Sequence, residues 1–167
     1  MHGEDKEIKM KKIYWAVIAL VIILPIAWYL LSPLFISIEL DEASPLEQPI
    51  EQEQAAENRE IMEPPKILLE GNFIPSAHEV SGKALVIDTS QGKVLRFEDF
   101  ETVNGPDLFI YLSSDLDSED FIDLGRIKAT KGNVNYQLPD DVDLERYNKV
   151  LVWCRAFRVL FNYAELK

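Results

Sequence analysis

Cysteine is nearly missing: Cys154 is the only one in 167 residues. That excludes an internal disulfide and any dithiol–disulfide cycle within one chain. Histidine is almost as scarce, with His2 in the N-terminal tail and His78 the only other. No CxxC, HxxxH or CxxCH spacing occurs, so nothing marks a zinc site or a covalently attached haem. GxSxG, a phosphate-cradling glycine loop and a dinucleotide fingerprint are also absent, which argues against a nucleophile-elbow hydrolase or a soluble-cofactor enzyme. Positive charge is short, with 17 basic against 29 acidic residues and a formal charge of −12. No basic cluster interleaves with aromatics, so nucleic acid is not an expected partner. The chain is read as not an enzyme by itself.

Against these absences stands one long apolar run. Residues Ile13 to Leu31 (IYWAVIALVIILPIAWYLL) form 19 positions without a charge. At about 1.5 Å of rise per residue they span roughly 28 Å as a helix, close to the hydrocarbon thickness of a bilayer. Tyr14 and Trp15 bracket one end, Trp28 and Tyr29 the other, as interfacial aromatics do. Pro25 lies inside, a kink that a membrane helix tolerates. Lys6, Lys9, Lys11 and Lys12 precede the run, whereas seven acids beginning at Glu39 follow it before Arg59. The positive-inside rule places the tail 1–12 in the cytoplasm and the C-terminal domain outside, behind an uncleaved signal anchor at 13–31. A cleaved signal peptide is the rival; its apolar core would be shorter, and no small-x-small cleavage site follows.

From 32 to 66 the composition turns acidic, with Pro45, Pro49, Pro64, Pro65 and many Glu and Gln. Such a stretch buries too little apolar surface to offset its ordering entropy. It is expected to be a disordered spacer holding the domain off the membrane. The remainder, 67–167, suffices for one domain.

That domain reads as all-β. Ala84–Ile87 and Val94–Phe97 flank Thr89-Ser90-Gln91-Gly92 as a hairpin. Asn104-Gly105-Pro106-Asp107 is a turn before Leu108–Leu112. Gly125–Ile127, Val134–Leu138, Val150–Cys154 and Phe157–Phe161 complete the pattern, and only Leu144–Val150 has room for a helical turn. Seven or eight short strands at this spacing predict an antiparallel β-sandwich.

The order of GNF (71–73), His78, Ser81-Gly82, LRFEDF (95–100), NGPDLFIYL (104–112), YQLP (136–139) and VLVWCRAFRVLF (150–161) with Ala164 resembles the DM-thirteen family. The resemblance covers 71–166 and leaves out the anchor and linker. It implies an extracytoplasmic all-β domain, a characteristic cysteine that falls on Cys154, and an electron-transfer role beside another membrane redox protein.

The residues themselves name two candidates. On a strand, Cys154 shares a face with Val152 and Val150, while Trp153 and Leu151 take the other. With both faces apolar, the strand is central and its thiol an inert core group. The redox alternative leaves a sulfenate, a mixed or intermolecular disulfide, or a metal. His78 is the candidate partner. Cys154 and His78 together could ligate copper or a haem iron, or act as nucleophile and base. Alternatively His78 fixes a loop at a strand end and no cofactor binds. Asp115, Asp117, Glu119, Asp120 and Asp123 make a spread acidic loop without the ligand rhythm of an EF-hand.

Overall fold

A computed structural model of the protein describes residues 4–32, 36–47 and 64–167. Helix α1 runs from Glu4 to Leu31 with Pro25 inside it, and its segment Met10–Tyr29 is long and apolar enough to cross a membrane. Apart from a one-turn 3-10 helix at Pro45–Glu47, the remaining elements among the described residues are strands: β1 (Glu39–Asp41), β2 (Lys66–Pro75), β3 (Val80–Thr89), β4 (Gly92–Thr102), β5 (Leu108–Ser113), β6 (Phe121–Arg126), β7 (Lys131–Gln137), β8 (Lys149–Cys154) and β9 (Val159–Glu165).

The predicted β-rich domain is present, but among the described residues its strands count nine and belong to one curled sheet, in the order β1-β7-β4-β3-β2-β9-β8-β5-β6. The curl passes through β2. Its first part, Lys66 to Asn72, pairs with β3, and its last part, Phe73 to Pro75, pairs with β9. One strand thus hands the ladder from one half of the sheet to the other. Both halves line the same core: Val86, Leu95, Phe97 and Val134 come from one, Ile110, Leu112, Val150 and Val152 from the other.

An aromatic cluster fixes this core. Phe97 meets Phe73 at 4.9 Å between centroids and 84° between planes, Phe100 at 5.0 Å and Tyr136 at 5.3 Å. Phe97 and Phe100 are three apart, so a regular strand would send them to opposite faces. The register of β4 against β7 shifts between them, and Asp99 takes φ 50°. That bulge turns both rings inward. A buried ring of this kind contributes several kcal/mol, since truncating a core Phe to Ala costs about 3–5 kcal/mol.

The expected spacer is corrected in part. Residues 36–47 are packed on the sheet, where the chain arriving from α1 adds β1 in parallel beside β7. Thr130 N donates to Ile38 O at 2.8 Å, and Asn104 Nδ2 donates to Ile36 O at 3.0 Å. Arg96, 5 % exposed, donates from Nη1 to Glu42 O, Ala43 O and Asn135 Oδ1 and from Nε to Glu98 Oε1. The acidic composition of the stretch hid this, because its contacts are largely backbone bonds and charge pairs, with Leu40 and Pro45 adding apolar burial. The rest of the expected spacer, 48–63, lies outside the described residues and connects this docked segment to β2, not α1 to the sheet.

Other boundaries move as well. Strand β9 starts at Val159, because 155–158 form the turn after β8, with Arg158 at φ 54°. The helical turn expected from Leu144 is a single turn that begins at Asp143: Tyr147 N donates to Asp143 O at 2.8 Å, and Asp143 Oδ1 accepts from Glu145 N and Arg146 N.

Gly132 carries the β1 pairing. Its φ is 109°, and a Cβ there would run into Leu40 O. Gly132→Ala is expected to cost about 1–3 kcal/mol through strain and the lost β1 ladder. A thermal melt checks this by a fall in Tm of several degrees; an unchanged Tm would remove β1 from the sheet.

Candidate functional site

Cys154 is the last residue of β8. Its neighbours across the ladder are Leu108 on β5 and Val159 on β9. It points inward with Val150 and Val152 and is 0 % exposed. The alternation read from the sequence therefore holds, and the thiol is sealed in the core. Arg155 cannot serve it. The guanidinium lies on the opposite face, 3.4 Å over the Phe109 ring, with Nε donating to Tyr111 OH at 2.6 Å and Nη2 paired with Asp123. Those hydrogen bonds, the one to Tyr111 first, raise the Arg155 pKa further.

His78 lies in the bend between β2 and β3. Its backbone N donates to Phe161 O at 3.1 Å, and its ring leans on the Phe161 ring with centroids 4.0 Å apart. His78, Asn104, Gly105, Pro106, Phe157, Val159 and Phe161 line a cleft of about 250 Å³. Gly105 makes room for the cleft floor, since a Cβ there would meet Phe161 Cζ at 2.9 Å. Cys154 is not among the lining residues, although Phe161 and Leu108 share its core. The two candidates thus occupy one end of the sheet but do not meet as a hydrogen-bonded pair. Among the described residues, no three His, Cys, Asp or Glu side chains group to hold a metal ion. Cys154 in the core and His78 at the cleft therefore do not come together with a third donor as one ligand set among the described residues.

A larger hollow of about 640 Å³ lies where β2 leaves β3 for β9, between Glu70, Gly71, Lys83, Glu165 and Lys167. It holds neither candidate, and Asn72 and Ile74 complete its lining. Size alone does not make it the site.

The acidic loop is spoken for by its own hydrogen bonds. Asp115 accepts from the backbone N of Asp117, Glu119 and Asp120. Asp120 accepts from Ser114 Oγ at 2.8 Å, Arg146 Nη2 at 2.8 Å and Tyr147 OH at 3.0 Å. On the far face of β4, Arg96 and Lys83 hold Glu98 below the ordinary carboxyl range, although burial opposes them.

Sequence reasoning missed the surface around Arg155: Phe109, Tyr111, Phe121 and Asp123, with Tyr111 and Phe121 stacked at 4.0 Å. Alternation along Leu108–Leu112 was the available signal, since it sends Phe109 and Tyr111 outward together.

A family model, Electron transfer DM13, matches residues 72–166. The chain belongs to this family. The matched span begins in β2 and takes in β3 to β9, so it covers most of the curled sheet but neither α1 nor β1. The aromatic cluster joins three of the motifs that carry the resemblance, since GNF supplies Phe73, LRFEDF supplies Phe97 and Phe100, and YQLP supplies Tyr136. Comparisons with curated proteins and with solved structures return no match.

Hydrogen bonds from Ser114 and then Arg146 hold the Asp120 carboxyl below its usual range. A depressed folded-state pKa gives stability that is present above the unfolded value and lost as pH falls through the folded one. Asp120→Asn is therefore expected to melt earlier than wild type at neutral pH. The gap should close on acidification below the ordinary carboxylate range, as followed by Tm against pH. A gap that persists in acid would rule out charge as its cause.

Proposed function

We propose that this chain is a membrane-tethered, extracytoplasmic accessory domain of an electron-transfer system. The carrying observation is the Electron transfer DM13 match over 72–166, set behind a helix apolar enough to span a bilayer at Met10–Tyr29. Four lysines before that helix and the acids after it favour a cytoplasmic tail and an external domain. The partner is another membrane or extracytoplasmic redox protein.

In this reading Cys154 is the redox group. With one thiol in the chain, exchange must be intermolecular: the Cys154 thiolate attacks a partner disulfide, a mixed disulfide forms, and the partner's second sulfur leaves as thiolate. The sealed position makes this conditional on local opening. The turn 155–158 begins directly after Cys154, and Phe157 in it is 55 % exposed. Fraying of such a turn needs far less free energy than global unfolding. His78, across the cleft from that turn, is the candidate partner that would accept the thiol proton once the turn lifts.

A second reading takes the same domain as a non-catalytic binding module at the cell surface, with Cys154 as a core residue. The zero exposure of Cys154 favours it.

Treating the folded full chain with oxidised glutathione separates the two. The redox reading expects one glutathione adduct at Cys154, formed much faster than global unfolding and faster again in Phe157→Gly, as followed by intact mass. Adduct formation only at the global unfolding rate would leave the binding module.

A further inference from the structure

We propose that the cleft end of the sheet docks on the lipid surface from which α1 emerges, with Phe157, Val159, Val103, Ile36 and Ile38 as its contact. This rests on the membrane-anchored reading above. Helix α1 ends at Leu31, and Ile36 is already held by Asn104, a residue of the cleft. Five Cα steps separate Leu31 from Ile36, so whatever path the chain takes there, it reaches at most about 18 Å. The cleft rim therefore cannot stand far from the end of the anchor. The apolar side chains at this end agree with that proximity. Phe157 is 55 %, Ile36 56 % and Ile38 43 % exposed, with Val103 and Val159 beside them. Exposed apolar groups in one patch mark a contact rather than a solvated face.

Charge divides in the same sense. Arg158 stands exposed in the turn with Phe157, and the acids Asp107 and Asp123 near this end are taken up by Arg126 and Arg155. Glu101 faces Lys131, which also stands opposite Glu39 in the β1 register, while Glu79 beside the bend and Asp99 on β4 are exposed acids. At the opposite ends of β5 and β7 lie Asp115, Asp117 and Glu119, then Asp140 and Asp141. An amphipathic end with an aromatic, aliphatic side chains and an arginine suits the headgroup boundary of an anionic bilayer.

The test uses the full chain reconstituted in vesicles of phosphatidylcholine and phosphatidylglycerol. Nitroxide labels go on Phe157→Cys, Val103→Cys and Gln91→Cys in a Cys154→Ala background, and collision with oxygen is compared with collision with an aqueous nickel chelate. Gln91 sits at the β3–β4 turn, about 30 Å from the cleft end along the ten residues of β3. Labels at 157 and 103 are expected to show an oxygen-to-nickel ratio several-fold above that at 91. Equal ratios at all three sites, in a chain that alkaline carbonate leaves in the membrane, overturn the docking alone. Release by carbonate overturns the anchor reading and the docking with it. Val103 lies outside the core, so its label reports even where the Phe157 variant fails to fold.

Discussion

Arg96 fixes where the chain meets the sheet. Its side chain projects from β4 on the face away from the aromatic core, yet it is 5 % exposed, because residues 42–43 close over it. Burial of the guanidinium is offset at Nε and Nη1, where Glu98, Asn135 and two backbone carbonyls supply the acceptors. Removing one member of such a buried set typically costs about 3–5 kcal/mol, because the remaining groups keep their desolvation penalty without its compensation. Glu42 adds to the same knot, with Oε2 accepting from Asn135 N and Oε1 facing Lys128. The segment is thus held by directional polar contacts, and it is this segment that sets how closely the sheet follows α1.

That fixation changes the meaning of the acidic stretch. As a spacer between helix and domain, its length would govern the distance from the anchor. With 36–47 docked first, residues 48–63 join Glu47, in the 3-10 turn after β1, to Pro64, just before β2. Their length no longer bears on that distance.

The sequence made legible what burial enforces. Strands β3, β5 and β8 each carry near-continuous apolar runs, and the Thr89–Gly92 turn between β3 and β4 closes as the pattern requires, with Gly92 at φ 112°. What remained hidden depends on partners. Strand β1 is three residues, Glu-Leu-Asp, paired through its backbone to β7, and no periodicity can announce it. Strand β6 is a half-exposed edge beside β5, and Asp123 and Gly125 disguise its start, so that only Gly125–Ile127 reads as strand. Strand β2 changes neighbours at Phe73, which a single-strand pattern cannot express. For the site, the inward direction of Cys154 followed from alternation alone. The placement of His78 on Phe161 did not, because a residue in a bend takes its direction from whatever the far strand presents.

Cys154, His78 and the Asn104–Pro106 turn come from three distant stretches, yet all lie at the end of the sheet where the chain arrives from α1. Two features of the topology bring this about. Strand β8 runs toward that end and terminates at Cys154, while β2 and β3 meet there through the bend that holds His78. A thiol at a strand terminus is guarded by a single turn, whereas one in mid-strand would need the ladder on both sides to part. The only thiol of the chain therefore occupies a terminal position of β8, next to the turn that carries the cleft residue Phe157. Under the proposed docking that turn faces the membrane surface. A partner embedded in the same bilayer would then meet Cys154 by diffusion in two dimensions, whereas a soluble oxidant would have to enter beneath the domain.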